Sequence, residues 1–84
     1  MALYFLDFDA NGKITKDDTG TDIATPEAMH KEARKALSAV AKDDIGRDGE
    51  TMTYKVLVHD KSRRAVYSVV MTLVGTAVSG SDAL

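Results

Sequence analysis

The chain has no cysteine. That excludes a disulfide frame and any thiolate ligand or nucleophile, and it fits a reducing compartment. It also lacks a clear excess of one charge: 11 Lys and Arg stand against 13 Asp and Glu, a formal net charge of −2. Binding a phosphate backbone demands basic surface, so nucleic acid is disfavoured as a partner. No long hydrophobic run is present. The nearest, Ala65 to Val78, is broken by Ser68, Thr72, Gly75 and Thr76, too short and too polar for a membrane span. No basic stretch precedes the first apolar residues, so no secretory leader is expected and the expected address is the cytoplasm.

What is present is an ordinary soluble composition, 44% hydrophobic and 29% charged, in 84 residues. A chain of this length hides roughly 60–65% of its unfolded surface, so it folds alone with little margin or gains stability by association. The helix is the clearest element. Thr25 suits the N-cap, Pro26 the first helical position, and Glu27 the positive end of the helix dipole. Met29, Ala33, Ala36, Leu37, Val40 and Ala41 then form one stripe at helical spacing. The expected end is near Asp43 to Ile45, with Gly46 as the stop and Arg47 to Glu50 as a polar link.

Strands flank the helix. Ala2 to Phe8 is nearly continuous apolar sequence with aromatics and reads as a strand. Asp9-Ala10-Asn11-Gly12 reads as a tight turn, because Asn-Gly supplies positive φ. Lys13 to Lys16 returns, and Asp17 to Thr21 reads as a second turn. Met52 to His59 alternates, with Met52, Tyr54, Val56 and Val58 on one face. Asp60 to Arg63 is a hairpin tip, and Arg64 to Val74 is the last strand. The expected fold is α+β, in the order β-β-α-β-β: a four-stranded antiparallel sheet with one helix packed on one face. The expected domain spans residues 1–78, with a flexible tail over 79–84.

One string carries recognisable site chemistry. Residues 7–18, D-F-D-A-N-G-K-I-T-K-D-D, fit a twelve-residue calcium loop, with Asp7, Asp9, Asn11, Thr15 and Asp18 as candidate oxygen ligands. Such a loop needs a helix on each side, and the six residues before Asp7 read as a strand. The favoured reading is therefore a polar hairpin, with no metal and no cofactor. His30 and His59 do not fall into a metal-ligand pattern with other residues and read as boundary histidines. Ser62, Ser68 and Ser79 lack a nucleophile-elbow context. Gly75 and Gly80 lack the helix and lysine of a phosphate loop. Lys61, Arg63 and Arg64 read as a solvated basic tip. Met29, Met52 and Met71 read as core filler. No catalytic residue emerges, and the expectation is a protein that is not an enzyme.

Several short motifs follow one another in a suggestive order: Y-F-L-D-F (Tyr4 to Phe8), D-A-N-G (Asp9 to Gly12), D-T-G-T-D-I (Asp18 to Ile23), the helix E-A-M-H-K-E-A-R-K-A-L (Glu27 to Leu37) and V-L-V-H-D (Val56 to Asp60). In that order the chain resembles a family of short alpha-proteobacterial proteins classed as a domain of unknown function, over most of its length up to about Val74. The resemblance implies a β-β-α-β-β layout and carries no catalytic residues. It also implies a glycine-containing turn at Lys61 to Arg64, where this chain has no glycine. The stretch Ile23 to Leu37 is more loosely similar to antitoxins of the HicB type.

One helix covers one face of a sheet. With Phe5, Tyr54, Val56 and Met71 turned to the helix, the far face would carry Tyr4, Leu6, Leu57, Val66, Val70 and Val74, an apolar surface in need of cover. The functional expectation is a non-enzymatic association module that forms a homodimer or docks an unidentified protein partner through that face. The alternatives are a calcium- or small-ligand-binding protein using residues 7–18, and an antitoxin-like regulatory protein.

Overall fold

A computed structural model describes residues 2–44, 51–76 and 78. The expected helix stop at Gly46, the link to Glu50 and the tail over 79–84 lie outside the described residues. The architecture is α+β: strands β1 (Ala2–Ala10), β2 (Lys13–Thr15) and β3 (Thr21–Ile23), helix α1 (Pro26–Asp44), then strands β4 (Thr51–Asp60) and β5 (Ala65–Val74). All pairings are antiparallel, along the path β2-β1-β4-β5, with β3 beside β2 on the same edge of β1.

The sheet thus has five strands where the sequence reading has four. The addition is β3, whose three residues begin at Thr21, the end of the expected second turn. They pair Ala2, Leu3 and Tyr4 of β1 with Ile23, Asp22 and Thr21. A three-residue strand is too short to show alternation, and its partner rather than its own pattern defines it. The first turn is tighter than Asp9 to Gly12. Ala10 still pairs with Lys13, leaving Asn11 and Gly12 as the two turn residues at φ +54° and +96°, the backbone of a type I′ hairpin.

Helix α1 begins as its sequence dictates. The Thr25 hydroxyl accepts the Ala28 N–H at 3.0 Å, satisfying one of the donors the first turn leaves open. Met29, Ala33, Leu37 and Ala41 are buried on the sheet, with Ala28, Ala36 and Val40 at the margin. Beneath them lie the β4 residues Met52, Tyr54, Val56 and Val58, only 0–3% exposed. His30 stacks on Tyr67 of β5, ring centroids 4.1 Å apart and 19° from parallel, so this histidine helps join the helix to the sheet.

The face of β1 is a correction. Tyr4 and Leu6 pack with the core under the helix, and Phe5 takes the opposite side. Residues directly opposite one another in an antiparallel pair share a face. Leu6 stands opposite Val58 and Phe8 opposite Val56, which puts the even-numbered β1 residues on the helix side. Residues 2–6 of β1 are apolar on both faces and show no phase. The alternation Leu6-Asp7-Phe8-Asp9-Ala10 does carry it, but the expected strand stops at Phe8 and leaves that signal unused, and a one-residue slip inverts every side chain. Tyr54, Val56 and Met71 do face the helix. No helix among the described residues is long and apolar enough to cross a membrane.

Candidate functional site

The face opposite the helix is the candidate site. Strand β1 contributes Leu3, Phe5, Asp7 and Asp9; β4 contributes Lys55, Leu57 and His59; β5 contributes Val70 and Val74. Ile14 of β2 joins them, opposite Asp9. Val66 is the extra residue of a β5 bulge, where Val58 pairs with Tyr67 but His59 pairs with Ala65.

A single carboxylate organises the margin of this face. Strands β2 and β3 leave a gap on the edge of β1 between Tyr4 and Phe8. Asp17 fills it. One carboxylate oxygen accepts the Leu6 N–H at 3.1 Å, and the other accepts the N–H groups of Thr19 and Gly20 at 3.0 and 2.9 Å. The Gly20 N–H, ahead of those of Leu6 and Thr19, holds the Asp17 carboxyl below the usual carboxylate range against the opposing cost of burial. The Asp17 N–H in turn donates to Asp7 Oδ1 at 2.9 Å.

Gly20 sits at φ +79°, and a side chain there would meet Leu3 Cδ1 at 2.9 Å and Phe5 Cε1 at 3.0 Å. The loop is therefore pressed against Leu3 and Phe5. From another side the Arg63 guanidinium lies over the Phe5 ring, 4.8 Å from its centroid. Phe5 is thus largely buried although no helix covers it.

Arg63 also holds an unusual backbone, φ +68°, which glycine adopts most readily. That explains how a tip without glycine closes. The Asp60 carboxylate accepts the N–H groups of Ser62 and Arg64 at 2.9 and 3.0 Å. The Arg64 N–H leads, ahead of Ser62 and the Arg64 charge, in holding the Asp60 carboxyl below its ordinary range. Of the basic tip residues, Arg63 lies on Phe5 and Arg64 Nε stands 3.6 Å from Asp60 Oδ2.

At the centre of the face, His59 Nδ1 lies 3.4 Å from Asp7 Oδ2, with each side chain about a fifth exposed. An open groove of about 290 Å³ runs past them, lined by Asp9, Ile14, Lys16, Lys55 and Leu57. Its walls mix both charge signs around apolar side chains.

The calcium candidates are spread over the two sides of the hairpin. Asp7 and Asp9 share the open face, while Thr15 stands opposite Phe8, on the helix side. Asp7 Oδ1 and Asp9 Oδ1 already accept the N–H groups of Asp17 and Gly12. Asn11 occupies the exposed turn, and Asp18 is exposed in the next loop. Among the described residues no group of three or more His, Cys, Asp or Glu is placed to hold a metal ion. Of the expected interface residues, Leu57, Val70 and Val74 lie on the open face, Val66 is exposed at the bulge, and Tyr4 and Leu6 do not belong there.

These turns share a spacing. Asp9 precedes Gly12 as Asp17 precedes Gly20, and in both the carboxylate accepts the glycine N–H three residues on. That arrangement lies within the stretch, residues 3–72, matched by a family model described as a domain of unknown function, DUF6894. The chain belongs to this family. No curated protein and no solved structure matches it. The Asp17 contact with Leu6 is a part of the DUF6894 domain that the sequence reading missed. The repeated Asp-x-x-Gly spacing was the available signal, although it marks a turn and not the strand that the turn's carboxylate reaches.

Proposed function

We propose that this DUF6894 domain is a small non-enzymatic association module whose open sheet face docks a protein surface, with the cysteine-free sequence favouring a cytoplasmic setting. The observation that carries the reading is the exposure of Ile14, Val70 and Val74, between 53 and 64%, on the side of the sheet that α1 does not cover. Isolated exposed apolar residues are common, but here they belong to one patterned face: Ile14 and Val70 end a cross-strand row whose middle is Asp9 and Lys55. Here Asp7, Asp9, Lys16, Lys55 and His59 line the groove beside Leu57 and Ile14. Charges of both signs in fixed positions favour one orientation of a partner over others. The groove is open to solvent, so water has access to the Asp7–His59 pair, which favours binding over chemistry.

Leu57→Lys tests the reading, because it places a charge in the groove on an inner strand. With the parent and the variant as bait in a native extract, proteins held by the parent are expected to be lost from the variant. Circular dichroism of the variant should match the parent. An identical set of captured proteins would remove the open face from the account.

A further inference from the structure

The two edges of the sheet are built differently. On one side the edge is two three-residue strands, β2 and β3, separated by the Asp17 loop and carrying Lys13 and Asp22. Short, interrupted and charged edges are how proteins prevent strand pairing between molecules. On the other side, β5 runs ten residues as A-V-Y-S-V-V-M-T-L-V, with no charge and no proline. Among the described residues no strand lies beyond it. The core is also incomplete along this edge. The helix-side residues of β4 are 0–3% exposed, whereas Tyr67, Val69 and Met71 of β5 are only partly buried and Leu73 is 40% exposed.

We propose that β5 pairs antiparallel with the β5 of a second copy, about a two-fold axis through Val70 perpendicular to the sheet. The seam shares Val70 and Val74 with the open face but leaves the groove between Asp7, His59 and Leu57 uncovered, and the proposal goes beyond the docking role of that groove. A perpendicular two-fold axis keeps the two helices on one side and makes the edge strands antiparallel. It also requires residues of like face to stand opposite one another. With the axis at Val70, Val70 meets its own copy, Val69 meets the second copy's Met71, and Ser68 meets the second copy's Thr72. Tyr67 then meets Leu73, and Val66 meets Val74. Apolar pairs with apolar and hydroxyl with hydroxyl at every step. An axis at Val69 instead sets Ser68 against Val70 and Val66 against Thr72. The strand is close to a chemical palindrome about Val70, which favours a second copy over an unrelated strand. The absence of charge means that self-pairing brings no like charges together. The exposed residues Val66, Val70, Leu73 and Val74 all lie in the seam.

The chain's lack of cysteine makes oxidative cross-linking a direct test. Directly opposed residues in an antiparallel pair lie about 4.5–5.5 Å apart at Cα, within the span of a disulfide. Val70→Cys alone is expected to give a covalent dimer. Val69→Cys and Met71→Cys, mixed, are expected to give a covalent heterodimer that neither gives alone. This second pair lies on the helix side, where packing of two open faces cannot join it. Three results overturn the proposal. One is the absence of dimer from Val70→Cys. Another is a dimer from Val70→Cys, matched by Leu57→Cys, with none from the mixed pair, which would place the seam on the open face. The third needs no variant: sedimentation showing the parent monomeric at about 100 μM, a range in which weak association is readily seen.

Discussion

The Asp17 carboxylate accepts the backbone N–H of Leu6 at 3.1 Å, so a loop side chain completes the edge of the central strand between two short strands. Leu6 is itself a core residue under α1. The contact therefore ties the Asp17 loop to the strand that carries part of the core, while the same loop crowds Phe5 on the open face.

Removing that carboxylate leaves the N–H groups of Leu6, Thr19 and Gly20 without their acceptor. Asp17→Ala is expected to cost about 1–3 kcal/mol, the penalty for unsatisfied, partly buried donors. Asp17→Asn should also destabilise, since an amide nitrogen at one of the two oxygen positions faces a donor. Urea denaturation of both variants checks this. A change below the error of the measurement would mean the loop contributes nothing to edge order.

The same contact predicts a pH dependence. The Asp17 carboxyl is held below its ordinary value in the folded chain, so the native state favours the ionised form. The stabilisation is full above an unfolded value of about 3.9 and is lost as pH falls through the depressed folded value. The parent should lose stability in that acid range more steeply than Asp17→Asn, which has no proton to take up there. Urea midpoints measured from neutral pH into that acid range test the difference in slope.

Gly12 and Gly20 separate backbone strain from crowding. Both have positive φ, but a side chain at Gly12 meets nothing within 4 Å, whereas one at Gly20 meets Leu3 and Phe5. Gly12→Ala should cost about 1–2 kcal/mol from its left-handed backbone. Gly20→Ala should cost more, because Leu3 and Phe5 must also shift. Equal thermal midpoints for the two variants would show that those side chains move aside freely.

On the helix, Leu37 is buried on the sheet and Lys35 is exposed, 3.9 Å from Glu32. Leu37→Ala is expected to cost about 2–5 kcal/mol, a large share of the stability of so small a domain. Lys35→Ala should cost less than about 0.5 kcal/mol, as a surface site with a weak ion pair does. Comparable losses at the two positions in chemical denaturation would contradict the helix orientation.

Arg63 sets two opposing effects against each other. Its left-handed φ is unfavourable, and its guanidinium over Phe5 is favourable. Arg63→Ala keeps the strain and loses the contact, for an expected cost of about 0.5–1 kcal/mol. Arg63→Gly relieves the strain and should be more stable than Arg63→Ala. The reverse order by calorimetry would show that the left-handed backbone at this position carries no strain for a residue with a side chain.

Local chemistry determined much of this protein from sequence. The Thr25 cap, the Met29–Ala41 stripe, the Asn11-Gly12 turn and the alternation of β4 each depend on neighbours within a few residues, and each was legible. Pairing between strands fixed the phase of β1, which the apolar residues 2–6 leave open. That first half is apolar on both sides, and pairing with Val56 and Val58 of β4 puts Leu6 in the core and Phe5 on the open face, the phase that Asp7 and Asp9 also follow. The short strand β3 exists only because β1 offers it an edge, and the reach of Asp17 to Leu6 spans eleven positions that no local pattern connects. The pairing of Asp7 with His59 is more distant still. Secondary structure here follows from periodicity and capping, whereas the composition of the open face follows from register, which is set between strands.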